Sequence, residues 1–171
     1  MKFTAITNSD KTNQQLANYA LSLFEVSKIE LVVVTVETIE SVTEKIKLSS
    51  LVIIVADGDE LWRREDSFKA LLEKPVLLLS TYVDEPDNSQ FISNITEQLI
   101  KQKCQVWGTF SLLKTENTFN SASEINNIDL RLNLIRIINN IKDHKLGIKD
   151  KNRFTCGISR PKNYVGDAIG Y

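Results

Sequence analysis

The chain has 171 residues, 42% hydrophobic and 25% charged, with a net charge of −1 at pH 7. That composition supplies one substantial core, and the charge gives no global pull toward nucleic acid or an anionic membrane, so neither is an expected partner. No apolar run reaches the ~20 residues that span a bilayer, the N-terminus enters a strand without a charged-then-apolar leader, and a cytoplasmic location is expected.

Met1 to Ile6 reads as a short apolar strand, and Thr7 to Asn13 as a polar turn. The turn opens into the helical pattern Gln14-Gln15-Leu16-Ala17-Asn18-Tyr19-Ala20-Leu21, which ends near Phe24. A strand–loop–helix junction of this kind offers an anion unpaired first-turn N–H groups and the positive end of the helix dipole. Ser9, Lys11, Thr12 and Asn13 are therefore a candidate phosphate seat. The same composition also suits an ordinary N-cap, with Asn8, Ser9, Asp10 or Thr12 as the capping residue.

Ile29 to Val36 is a β-branched strand, and Ile39 to Ile46 a short amphipathic stretch. Leu51 to Ala56 is a nearly unbroken apolar run, as in the centre of a parallel sheet. A helix is predicted from about Arg63 to Leu72. A strand follows from Pro75 to Thr81, its proline placed where a missing N–H is tolerated. Ser89 to Lys103 carries Phe91, Ile92, Ile95, Leu99 and Ile100 on one helical face, Cys104 to Leu112 is the fifth strand, and Asn126 to Ile141 is a helix apolar on more than one side. Five strands alternating with helices predict a doubly wound α/β fold: a parallel sheet in the order 2-1-3-4-5 with helices on both faces. Ligands in that topology bind outside the carboxyl ends of the strands, beside strands one and three.

Cys104 and Cys156 lie far apart and, with His144 the sole histidine, form no metal or paired-thiol set. No Ser–His or His–Asp constellation is present, which argues against a hydrolase. The acidic residues Asp57, Asp59, Glu60, Asp84, Glu85 and Asp87 fall in two loops above the strand ends, either as a carboxylate site for a divalent cation or as a solvated rim. Residues 143–171 form a C-terminal extension with a basic stretch through Lys145, Lys149, Lys151 and Arg153. Its apolar residues, including Tyr164, Val165, Ile169 and Tyr171, predict packing on the first 142 residues or on a neighbouring subunit.

Three segments carry a resemblance that covers Met1 to about Lys142. Asn8 to Leu16, Phe68 to Leu79 and Ser123 to Asn127 resemble, in turn, the opening loop and Asn-x-x-Leu helix start, the helix and fourth strand, and the last helix start of the flavodoxin-like NAD(P)H-dependent FMN reductases. The resemblance implies a flavodoxin-like domain over residues 1–142, with the FMN phosphate on Ser9, Lys11, Thr12 and Asn13. It further implies that Asp57, Gly58, Trp62, Ser80, Thr81 and Tyr82 border the flavin, with Trp62 as a stacking face; read from its place at a helix start alone, Trp62 is more often a packing residue or an interface anchor. Hydride would pass from NAD(P)H to FMN and on to a small-molecule acceptor, in a homodimer; the cofactor carries that chemistry, so no acid–base pair is required of the chain.

The chain departs from the family in all three loops. The first is about one residue short, and its Asp10 sets a negative charge where a phosphate would approach. The second, Ala56 to Ser67, is acidic and lacks the family's Tyr-Asn pair, and the third, Ser80 to Ser89, lacks the paired glycines that admit a ring close to the backbone. A second reading follows from them: a flavodoxin-like binding or assembly module without a cofactor.

Overall fold

Leu51 to Ala56 are all fully buried, and their side chains alternate between two separate cores. Leu51, Ile53 and Val55 pack with Leu16, Ala20, Phe24 and Ile138, whereas Val52, Ile54 and Ala56 pack with Phe68, Phe91 and Ile95. A strand buried on both faces has to lie inside a sheet covered by helices on each side. The computed structural model, which describes residues 1–25, 29–33, 39–58 and 61–147, has that arrangement.

Its strands are β1 (Phe3–Thr7), β2 (Ile29–Val33), β3 (Leu51–Ala56), β4 (Pro75–Tyr82) and β5 (Gln105–Leu113). All pair in parallel, in the order β2-β1-β3-β4-β5. Helices α1 (Lys11–Phe24) and α5 (Ile128–Ile141) cover one face; α2 (Thr43–Lys47), α3 (Asp66–Lys69) and α4 (Glu85–Lys101) cover the other. The predicted order and the two helical layers are thus correct. Val34 to Val36, expected in the second strand, lie outside the described residues.

Where element ends differ from expectation, the causes are local. Helix α1 starts at Lys11, three residues before Gln14, because Asp10 stays extended (φ −62°, ψ 130°) and its carboxylate accepts the Asn13 N–H. Helix α4 starts at Glu85, ahead of the expected Ser89, with Pro86 in its first turn where no N–H partner is needed. The helix expected from Arg63 to Leu72 shrinks to the single turn of α3. It is preceded by a 3-10 turn at Leu61–Arg63 and followed by tighter turns in which Leu71 N–H bonds Phe68 O and Lys74 N–H bonds Leu71 O, with Glu73 left-handed between them (φ 58°). After α5 a π-helical turn, Lys142–Leu146, stops at the left-handed Gly147. Residues 148–171, most of the extension expected to pack on the domain or a neighbour, lie outside the described residues.

Register in β5 steps by one residue at Trp107: Val106 faces Val76, and Gly108 faces Leu77. Helix α5 presses on the glycine beyond that step. A Cβ at Gly108 would meet Ile137 Cγ2 at 2.7 Å and Leu77 Cδ1 at 3.3 Å. Gly108→Ala is therefore expected to destabilise by about 1–3 kcal/mol through overpacking, read as a lower urea midpoint with unchanged slope. A neutral result would mean that α5 does not sit this close to the sheet.

Candidate functional site

Parallel strands end on one edge, so residues just past them meet whatever their distance in sequence. Asn8 follows β1, Asp57 follows β3, Thr81 lies near the end of β4, and Lys114 follows β5. The Lys114 N–H bonds Tyr82 O at 2.7 Å, which fixes its backbone beside β4. From there its Nζ reaches Asp57 Oδ2 at 2.8 Å and Asp10 Oδ2 at 3.2 Å. Asn8 Nδ2 donates to Asp57 Oδ1 at 3.0 Å. Asn8 Oδ1 accepts from the Asp10 N–H at 3.1 Å and from Asn13 Nδ2 at 2.8 Å. Thr81 Oγ1 closes the network by donating to Asn13 Oδ1.

Two charges in this network are held ionised by their neighbours. Burial pushes the Asp10 carboxyl up, but the Asn13 N–H, the Lys114 ammonium and the Thr12 N–H outweigh it and hold Asp10 below the ordinary aspartate range. Burial likewise pushes Lys114 down, and the Asp57 and Asp10 carboxylates outweigh that and hold it above the ordinary lysine value.

This geometry does not fit the expected FMN phosphate. Such an anion needs the first-turn N–H groups of α1 and a cation beside them. Asp10 already takes part of that donor set: its carboxylate accepts the Asn13 N–H (2.9 Å) and is stabilised by the Thr12 N–H, and its carbonyl accepts the first bond of the helix, from Gln14 (3.0 Å). The cation next to them, Lys114, is its counter-ion. Asn13 is fully buried with both ends of its amide engaged, while Ser9 and Lys11 are exposed at the rim and Thr12 is half-buried. Of the alternatives legible in the loop, the structure takes the N-cap.

Around the expected ring position the outcome is divided. Asp57, Gly58, Trp62, Thr81 and Tyr82 do converge, on a cleft of ≈ 700 Å³ between the Leu61–Arg63 turn and α4. Trp62 is only 2% exposed and its ring tilts against Phe68, 5.6 Å between centroids. It is a packing residue of the wall, the role its place at a helix start favours, and not a stacking face. Ser80 is fully buried and spends its hydroxyl on Ser111 across the β4–β5 pair at 2.8 Å. A hydrogen bond to Glu85, then burial, pushes the half-buried Tyr82 phenol up.

Sequence reasoning missed Lys114 and the polar face that α4 turns to the cleft. One signal was available: Lys114 is the first charged residue beyond the fifth apolar run. Of the acidic loops, Asp57 is committed to Lys114, Asp84 and Asp87 line the cleft, and Asp59 and Glu60 lie outside the described residues. Among the described residues, no group of three or more His, Cys, Asp or Glu side chains is placed to hold a metal ion, and no helix is long and apolar enough to cross a membrane.

No protein-family model and no curated protein matches this sequence. Solved structures do match in fold. The Trp repressor binding protein from Bacillus subtilis superposes with a TM-score of 0.56 at 11% identity, over 84% of this chain and 98% of that one. An oxidoreductase from Corynebacterium diphtheriae gives 0.58 at 9% identity, over 84% and 96%. A short-chain flavodoxin associated with a non-canonical PDU bacterial microcompartment gives 0.52 at 8% identity, over 83% and 96%. At such identities the likeness is one of architecture, and this chain has the flavodoxin-like fold.

Proposed function

We propose that this chain is a flavodoxin-like binding or assembly module that does not anchor FMN by its phosphate. One observation carries the reading: the Asp10 carboxylate, ion-paired to Lys114, occupies the position at the start of α1 that the phosphate would need. Fold by itself does not set function, so the site has to. The ≈ 700 Å³ cleft above β3 and β4 is the module's place for a ligand; the homodimer implied by the family resemblance goes with the oxidoreductase reading that follows.

A second reading, an FMN-dependent oxidoreductase, is favoured by that cleft's position at the strand ends and by the oxidoreductase and flavodoxin among the fold neighbours. Parallel titrations with FMN and riboflavin, followed by flavin fluorescence, separate the two. The module reading expects FMN to bind no more tightly than riboflavin, both weaker than roughly 100 μM, or about −5.5 kcal/mol. FMN bound at least tenfold more tightly than riboflavin, with NAD(P)H oxidation by the loaded protein, would overturn it in favour of the enzyme.

A further inference from the structure

We propose that the outer edge of β5 is the interface for a second copy of this chain, the two β5 strands pairing antiparallel about a two-fold axis at Ser111 and joining two five-stranded sheets into one. The proposal goes beyond both readings above and depends on neither. It stands on the edge itself and not on the family resemblance.

Strand order leaves β5 with a neighbour on one side only. The Lys114 N–H turns inward to Tyr82 O, and the direction of the backbone groups alternates with period two along a strand. Thr109, Ser111 and Leu113 therefore turn their N–H and C=O groups outward. None of those N–H groups has a partner among the described residues. Leu113 O lies 3.4 Å from Thr118 Oγ1, but that hydroxyl is nearer to Thr115 O, at 2.8 Å, so the carbonyl keeps a free lone pair. Burial agrees, since β3 is buried along its whole length whereas Thr109 and Leu113 are exposed.

An edge of this kind is a template for another strand unless charge, proline or a bulge blunts it. At the opposite edge, β2 carries Glu30, ion-paired to Lys2 and Lys45. The nine residues of β5 include neither a charge nor a proline. Its one irregularity, the step at Trp107, precedes Gly108 and leaves Thr109 to Leu113 in regular register.

The same chemistry selects a second copy as the occupant. Pairing a strand with itself sets identical residues near the axis against one another, so a charge there would meet its own kind. An uncharged strand carries no such penalty. The three outward residues fix the register: Ser111 faces its own copy, and Thr109 faces Leu113 twice. Every outward group beyond the step is then bonded, and Leu113, 43% exposed in the single chain, is covered. An axis one residue earlier would set Leu113 against the step at Trp107. Each copy has one such edge, so the assembly closes as a dimer.

The test is sedimentation equilibrium of the full-length protein without flavin, combined with amide hydrogen exchange at low and high protein concentration. A reversible dimer is expected, with a Kd below about 100 μM. At high concentration the amides of Thr109, Ser111 and Leu113 should exchange more slowly, while Phe110 and Leu112, turned to β4, stay unchanged. Thr109→Lys/Leu113→Lys sets like charges across both rungs and should weaken the dimer by about tenfold or more. Thr109→Lys/Leu113→Glu sets opposite charges across the same rungs and should restore near wild-type association. Within one strand the two positions are about 13 Å apart, so the rescue reads pairing between copies. Both side chains are exposed, and the core is left intact in each variant. A protein still monomeric at about 300 μM, a dimer that leaves the three amides unprotected, or a dimer weakened equally by both double variants would overturn the proposal. So would protection of the three amides at every concentration, the result if residues 148–171 of the same chain cover the edge.

Discussion

Lys114→Ala is expected to destabilise the protein by about 2–3 kcal/mol, because it strips the counter-charge from two carboxylates at once. Asp57 and Asp10 have side-chain exposures of 14% and 35%, against 20% for Lys114. That places the cluster between an exposed ion pair, worth about 0–1 kcal/mol, and a buried one whose broken form costs about 3–5 kcal/mol. The pH dependence has a definite sign. Asp10 is depressed in the folded state, so its contribution is complete above the ordinary aspartate value of 3.8 and is lost as pH falls through the lower folded value. Lys114 is raised, so its contribution is complete below 10.5 and is lost as pH rises through the higher folded value. The deficit of the variant should be flat across neutral pH and narrow at both extremes. Urea denaturation of both proteins at a series of pH values measures it. A deficit under about 0.5 kcal/mol at pH 7, the scale of an ordinary surface substitution, would show that the lysine is solvated and does not bridge the two loops.

Phe68→Ala should cost more, about 3–4 kcal/mol, the range for an aromatic removed from a core that collapses only in part. Phe68 is fully buried and holds Trp62 by a tilted ring contact, although it sits on the single turn of α3. The turn at Leu61–Arg63 and hence one wall of the cleft rest on that contact. The variant is therefore expected to show a lower urea midpoint with an unchanged slope, together with altered Trp62 fluorescence. A loss below about 1.5 kcal/mol would mean that this segment closes over the cavity and that the wall is softer than the packing implies.

Much of this architecture is legible in local patterns. The run Leu51 to Ala56 announces a doubly buried strand because alternation has period two and both faces are apolar. The last helix, apolar on more than one side, lies on β5 at Gly108 as well as beside α1, and its hydrophobic span is set by those two neighbours. Element ends were read less well. The start of α1 depends on which of four capping residues turns its side chain inward, and α3 is shortened by turns that periodicity does not register.

The site divides along the same line. That polar residues follow β1, β3 and β4 is a property of the sequence, and so is the chemistry on offer in the first loop: hydroxyls, amides, a carboxylate and a lysine. Phosphate seat and helix cap require the same residue types, because both satisfy the same unpaired N–H groups. The tertiary structure alone makes the choice. Parallel pairing brings Lys114 within reach of Asp10 and of Asp57, the latter 57 positions away in the chain, and a lysine there stabilises the carboxylate in the anion position. Side-chain chemistry is written residue by residue, but which charges share an edge is set by strand order, and electrostatic energy depends on that proximity.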